Sequence, residues 1–297
     1  MTTIGFIGLG HMGQPMVNNL IKNNCLVKVY DVIDEAVEKA VKTGATAAAS
    51  PAEVAEEADV VFTMLQTSDQ VRNCCLSAKG IFATINRQAI YIDSSSIDIE
   101  GSRELHKEAK KRGISMLDAP VSGGVAAAEA AGLTFMVGGE KEDFERAKRV
   151  LGILGKKIIY AGSDGAGAAA KICNNMLLGI SMIAVSEAFV LADKLGLDPQ
   201  KLFEISSNAS GECWSLTHYC PWPGILKDVP SSHEYKPGFT AKMMLKDLNL
   251  SQAAASDAKA NTPLGKRATE LYQQFVDSDH GEVDFSDIIN LLKYKSQ

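Results

Sequence analysis

The sequence predicts an α/β fold, a doubly wound sheet of largely parallel strands, followed by a domain built of helices alone. Three observations carry this. Short β-rich runs alternate with helical patterns in the first part of the chain, the strand signals stop after Gly162, and the remainder of the chain is helical in pattern. Alternation at this spacing makes successive strands parallel, because a helix has to carry the chain back across the sheet between them.

In order, the strands are expected at 4–7, 27–30, 60–64, 89–92, 116–117, 135–137 and 158–160, where branched and aromatic residues cluster. Helices are expected between them at 12–22, 34–42, 51–57, 101–112 and 142–154, with Ser50-Pro51 supplying an N-cap and a first-turn proline. A run over about 165–194 is long enough to cross from one domain to the next, and three or four more helices come after it. The expected domains are therefore 1–162 and 163–297. Cys220-Pro-Trp-Pro-Gly224 and Val229-Pro-Ser-Ser232 mark a long loop of the kind that usually serves function. The run 126–131 reads only as a small-residue segment.

With 297 residues, 46% of them apolar, and a net charge of -6, the chain can bury a sizeable core. Its 30 basic and 36 acidic residues give no basic footprint for nucleic acid, so an anionic ligand has to be attracted locally. Cys25, Cys74, Cys75, Cys173, Cys213 and Cys220 have no metal-ligand spacing, and no metal is expected; reduced thiols are. The apolar stretch 176–192 contains Ser181, Ser186 and Glu187 and reads as a buried helix rather than a membrane span. A strand starting at Ile4 leaves no room for a leader, so the expected location is the cytoplasm, or an organelle matrix for a processed form.

Gly8-Leu9-Gly10-His11-Met12-Gly13 follows an apolar strand and opens a helix, the context that makes a glycine-rich loop a dinucleotide cradle. Gly8 allows the tight turn, Gly10 lets the backbone approach a pyrophosphate, and Gly13 lets the helix pack on the sheet. Asp31, 18 residues after Gly13 at the end of the next strand, suits a ribose 2'-hydroxyl and repels a 2'-phosphate. These residues predict a Rossmann-type domain that prefers NAD to NADP. His11 reads as a solvent-facing spacer in the loop.

Gly167, Lys171, Asn175 and Gly179 recur every four residues, on one helical face, with Lys171 and Asn175 about 6 Å apart along the axis. A substrate can meet both, while the glycines admit a flat ring or another backbone. The alternative is that Lys171 snorkels to solvent and Asn175 caps a neighbour. A lysine at the start of an apolar helix needs a partner, and a bound carboxylate is one. Ser122-Gly123-Gly124, after the run 115–117, reads either as a plain turn or as a small anion nest for that carboxylate.

Together these segments resemble the β-hydroxyacid dehydrogenase superfamily, in its 3-hydroxyisobutyrate dehydrogenase branch, along essentially the whole chain. The carriers are the loop from Gly5 to Gly13, Asp118-Ala-Pro-Val-Ser-Gly-Gly124, Leu133-Thr-Phe-Met-Val-Gly-Gly139, Lys171-Ile-Cys-Asn-Asn-Met-Leu177 and Lys246-Asp-Leu248. The resemblance implies that Lys171 is the acid/base and that Ser122, Gly123, Gly124 and Asn175 hold the substrate. It implies that Leu65, Gln66, Gln70 and Ser96 line the cofactor crevice and that Lys246 lies against the nicotinamide end. Gln66 stands where the family usually has proline, Ser96 where it has threonine, and Glu212 where it often has arginine, a reversal that disfavours a second carboxylate on the substrate. Trp214, Tyr219 and Phe239 read equally as core packing and as lining of the substrate pocket.

The implied activity is NAD-dependent oxidation of a short 3-hydroxy carboxylate, 3-hydroxyisobutyrate to methylmalonate semialdehyde, as in valine catabolism. The alternatives are a reductase of tartronate semialdehyde or another small aldehyde acid, and a cofactor-binding scaffold without turnover. The expected partner is a small 3-hydroxy carboxylate, with neither nucleic acid nor membrane, and by fold analogy the chain is a homodimer or homotetramer.

Overall fold

The computed structural model describes residues 1–294, and the chain divides into two compact units, Met1–Lys171 and the remainder from Ile172. The first holds nine strands: β1 Thr3–Ile7, β2 Leu26–Tyr30, β3 Thr46–Ala47, β4 Val60–Thr63, β5 Ile90–Asp93, β6 Ser115–Asp118, β7 Val121–Ser122, β8 Leu133–Gly139 and β9 Gly155–Gly162. They form one sheet in the order β3-β2-β1-β4-β5-β6-β8-β7, with β9 also on β8. From β3 to β6 every pairing is parallel; β8 then runs antiparallel to both β6 and β7 and parallel to β9. The order 3-2-1-4-5-6 reverses between β1 and β4, the switch point outside which doubly wound sheets bind ligands.

Side-chain alternation divides the core between the two faces of the sheet. Ile4, Phe6, Val60, Phe62, Ile90, Ile92 and Leu117 pack on one face with Met16, Val17 and Leu20 of α1 (Gly13–Lys22) and with Phe144, Ala147 and Leu151. Ile7, Val61, Tyr91 and Met116 pack on the other with Val54, Val71, Cys75 and Leu105. The helices behind these residues are α2 Asp34–Lys42, α3 Pro51–Ala55, α4 Ser68–Leu76, α5 Ile99–Lys111, α6 Gly124–Glu129 and α7 Lys141–Leu154. As expected, Ser50 caps α3, its hydroxyl accepting from Glu53 N at 3.2 Å.

α8, Ala166–Lys194, gives its first turns to the first unit and the rest to the second. The division thus falls nine residues beyond the expected one at Gly162. The cause is Gly167, where a Cβ would stand 2.4 Å from both Asp118 O and Met136 O, so the first turn of α8 lies directly on β6 and β8. The second unit continues with α9 Pro199–Ser206, α10 Trp214–Thr217, α11 Ala241–Asp257, α12 Pro263–Phe275 and α13 Ile288–Tyr294, more helices than the three or four expected. Met182 and Ile183 of α8 pack with Met244, Leu248, Leu271, Tyr272 and Phe285; Val185 and Phe189 pack with Leu216, Cys220 and Ile289. α8 has the length and apolarity to cross a membrane, but half of its most apolar window is buried within the protein, in keeping with a core helix.

In the first unit, two helices and two strands form beyond those expected from the sequence. α4 and α6 form where no helix was expected, the second within the small-residue run, and β3 and β7 are additional two-residue strands. α6 is held from α1 by Asn19, whose amide donates to Ala128 O at 2.7 Å.

Candidate active site

In the first unit the glycine-rich loop leaves β1 at the switch point. Gly8 has φ +97°, and a Cβ there would meet Met64 O at 2.3 Å; at Gly13 it would meet Gly8 O at 1.9 Å. Those two glycines serve the chain's own turn and helix packing. Gly10 is different, since a Cβ there would meet nothing within 4 Å. Its bare backbone faces open space, as a pyrophosphate cradle requires. Leu9 is buried, Met12 packs on the core and His11 is exposed.

Asp31 holds the loop. Its Oδ2 accepts from Leu9 N at 2.6 Å and its Oδ1 from Ile33 N at 2.9 Å. At the next strand ends, Leu65 N donates to Ser95 Oγ at 2.9 Å, and Gln66 N donates to the side-chain oxygen of Gln70 at 3.0 Å. Gln70 lies in the first turn of α4, which Thr67 caps by accepting from Gln70 N. Leu65, Gln66 and Gln70 are thus joined by a strand end and by a helix absent from the sequence expectation, and Ser96, half-buried, follows Ser95. Beneath them Asp93 is fully buried, its Oδ1 accepting from Thr63 Oγ1 at 2.8 Å and Ser95 N at 3.1 Å. Burial pushes Asp93 up to about 6 against the pull of these hydrogen bonds, and nearby Asp118 adds to the rise.

β6 ends at Asp118 and leads through β7 into Ser122-Gly123-Gly124. Gly123 has φ +132° and Gly124 φ +69°, a backbone that only glycine adopts readily, and both are exposed while Ser122 is half-buried. Lys171, in the second turn of α8, donates from Nζ to Val121 O at 2.8 Å. Lys171 is therefore turned toward the strand that leads into the glycine pair and does not snorkel. Gly167 does admit another backbone, that of β6 and β8, whereas Gly179 faces the Leu248 and Met244 side chains of α11 rather than a ring.

In the second unit, Asn175 is 2% exposed. Its amide donates to Asp247 Oδ2, and its oxygen accepts from Asn174 Nδ2 at 3.0 Å, which fixes the orientation of the amide. Lys246 Nζ stands 3.4 Å from the other Asp247 oxygen. Asn175 and Lys246 thus meet around a buried carboxylate to which the sequence alone attached no role. Its signal was a position shared with the buried Met244, Leu248 and Ser251 on α11.

The loop aromatics divide. Trp214 is 46% exposed and stacks on Tyr219 at 5.1 Å, whereas Phe239 packs edge-on against Phe285 in the helical core. Asp284 gathers them: its carboxylate accepts from Tyr219 OH, Gly238 N, Phe239 N, and Ser286 N and Oγ, at 2.7–3.1 Å. Burial raises both Asp284 and Tyr219. Glu212 is exposed and accepts from Thr217 Oγ1 at 3.4 Å.

Known proteins are similar to this chain along nearly its whole length. A family described as the NAD binding domain of 6-phosphogluconate dehydrogenase matches residues 3–162, and one described as the NAD-binding of NADP-dependent 3-hydroxyisobutyrate dehydrogenase matches 165–292. The human mitochondrial 3-hydroxyisobutyrate dehydrogenase is 44% identical over 98% of this chain and 87% of its own length. The probable 3-hydroxyisobutyrate dehydrogenase of Mycobacterium tuberculosis H37Rv is 44% identical over 100% and 99%. The solved structure of Mycobacterium tuberculosis 3-hydroxyisobutyrate dehydrogenase with L-serine superposes with a TM-score of 0.93 at 44% identity, over 99% of each chain. The chain, an oxidoreductase with an NAD-binding domain, therefore belongs to the 3-hydroxyisobutyrate dehydrogenase family.

Proposed function

We propose that the chain oxidises 3-hydroxyisobutyrate to methylmalonate semialdehyde, with NAD as the acceptor. The observation that carries this reading is the Lys171 Nζ, fixed on Val121 O beside the open glycine backbone of Ser122-Gly123-Gly124. When bound, NAD supplies the hydride acceptor. Ser122 and the two glycine N–H groups hold the substrate carboxylate, and the neutral amine of Lys171 takes the hydroxyl proton as the carbonyl forms. Asn175, its amide oriented by Asp247 and Asn174, aligns the substrate oxygen. Lys246 serves the nicotinamide end. Trp214 bounds the branch of the substrate while Phe239 stays in the helical core, and the Asp31 carboxylate disfavours a 2'-phosphate.

Steady-state rates on 3-hydroxyisobutyrate, tartronate semialdehyde and L-serine, each with NAD and NADP forms, test the reading. L-serine enters the panel because it accompanies the Mycobacterium tuberculosis relative and is itself a 3-hydroxy carboxylate. A preference for 3-hydroxyisobutyrate with NAD is expected; a tenfold preference for tartronate semialdehyde reduction overturns it. The chain also acts as a homo-oligomer on this reading, since α8 exposes Leu177 and Leu191 on the face shared by Ala184 and Ala188, and Leu195 follows just beyond it.

A further inference from the structure

One buried cluster in the first unit lies outside the roles assigned above. Asp118 is 2% exposed, and its carboxylate accepts from three donors. Oδ1 takes His106 Nε2 at 2.8 Å and Gly165 N at 2.9 Å, and Oδ2 takes Ala168 N at 2.8 Å. Two of those donors are backbone N–H groups at the amino end of α8, so a residue at the end of β6 caps a helix about 50 residues on. His106, on α5 and 1% exposed, has its other ring nitrogen 3.4 Å from Asp164, which in turn pairs with Lys110 at 2.9 Å. A carboxylate only accepts, so the ring nitrogen facing Asp118 carries its hydrogen.

Three residues after Ala168, on that same capped end, stands Lys171. Asp118 is also three residues before Val121, the carbonyl on which Lys171 rests. The same carboxylate therefore bears on both ends of the Lys171 contact. Gly138 and Gly167 close the joint, for a Cβ at Gly138 would stand 2.5 Å from Asp118 Oδ1 and one at Gly167 2.4 Å from Asp118 O.

We propose that His106 is a positioning residue for Lys171, acting through Asp118: the ring fixes the carboxylate that holds the amino end of α8 and so sets where the lysine nitrogen stands. The proposal rests on the reading of Lys171 as the acid/base. A misplacement of about 1 Å at such a group costs on the order of a hundredfold in rate.

Two amides separate the two ring nitrogens. His106→Gln places its N–H where Nε2 meets Asp118; His106→Asn places it where Nδ1 faces Asp164. The expected result is that Gln keeps kcat within about threefold of the parent, while Asn loses about tenfold or more with NADH affinity, read by fluorescence, within about twofold. Equal kcat in the two variants overturns the proposal, as does a loss in Asn matched by an equal loss of NADH affinity. Where His106→Asn does not accumulate, Asp118→Asn takes its place, since it turns one accepting oxygen into a donor; an unchanged kcat there is equally fatal. Lys171→Ala in the same assay keeps the two readings apart. If it retains a third or more of kcat, the reading of the lysine has failed; if it is crippled while Gln and Asn match, only the positioning has.

Discussion

Asp93 offers a direct test of how the cofactor crevice is supported. Its carboxyl is fully buried, and burial lifts it from 3.8 to about 6. Between those values the unfolded chain has released the proton and the folded chain still holds it. The folded state then binds more protons, and stability falls as pH rises through the window from about 4 to about 6. A shift of about two units amounts to about 3 kcal/mol, fully lost above pH 6. Asp93→Asn keeps an oxygen to accept from Thr63 Oγ1 and Ser95 N, the two bonds the structure gives Oδ1, and removes the charge. The variant is therefore expected to gain on the parent as pH rises, by about 3 kcal/mol between pH 4 and pH 7. At about 2–4 °C per kcal/mol that is roughly 6–12 °C in relative Tm. Thermal melts of both proteins over pH 4 to 8, compared at each pH, cancel every other titrating group. A difference that stays flat within about 0.5 kcal/mol, or one in which the parent gains with rising pH, refutes the argument, because it means that Thr63 and Ser95 hold Asp93 as the anion.

Three further outcomes are expected. Lys171→Ala lowers kcat by about 10²- to 10⁴-fold with NADH affinity nearly unchanged, and Lys171→Arg does not rescue it, because guanidinium does not release a proton in this range; stopped-flow rates and NADH fluorescence check both. Asp31→Arg weakens NADH and admits NADPH, but to a lower affinity than the parent has for NADH, because Leu9 N loses its acceptor; Asp31→Asn, which keeps that acceptor, is expected to narrow the discrimination at smaller cost, and titration of both cofactors distinguishes them. Gly10→Ala melts within about 2 °C of the parent yet loses NADH binding by more than about tenfold, whereas Gly13→Ala, whose methyl would stand 1.9 Å from Gly8 O, destabilises the fold itself.

What the sequence legibly encodes is what depends on near neighbours in the chain. The loop Gly8 to Gly13 was readable because its glycines fall at fixed spacing between an apolar strand and a helix, and so were the strands whose residues alternate between two apolar layers. α4 escaped because two of its three buried positions are Cys74 and Cys75, which read as thiols rather than as an apolar stripe beside Val71. α6 escaped because a run of alanines has no periodicity, and β3 and β7 because two residues make no pattern. Lys171 and Asn175 were legible as a pair one turn apart, but their settings were not.

Those settings come from partners far along the chain. Asn175 is oriented by a carboxylate 72 residues on, Tyr219 is held by one 65 residues on, and the amino end of α8 is capped from 47 and 50 residues back. By itself the sequence determined a doubly wound sheet with a glycine-rich loop at its first strand end and a helical second part, since these arise from local backbone preference and from spacing. Only the tertiary structure decided that Asp31 latches the loop it serves, that Gly167 joins α8 to the sheet, and that Asp118, Asp247 and Asp284 are buried and committed. A carboxylate's role is set by the donors that surround it, and those donors come together only when distant segments pack.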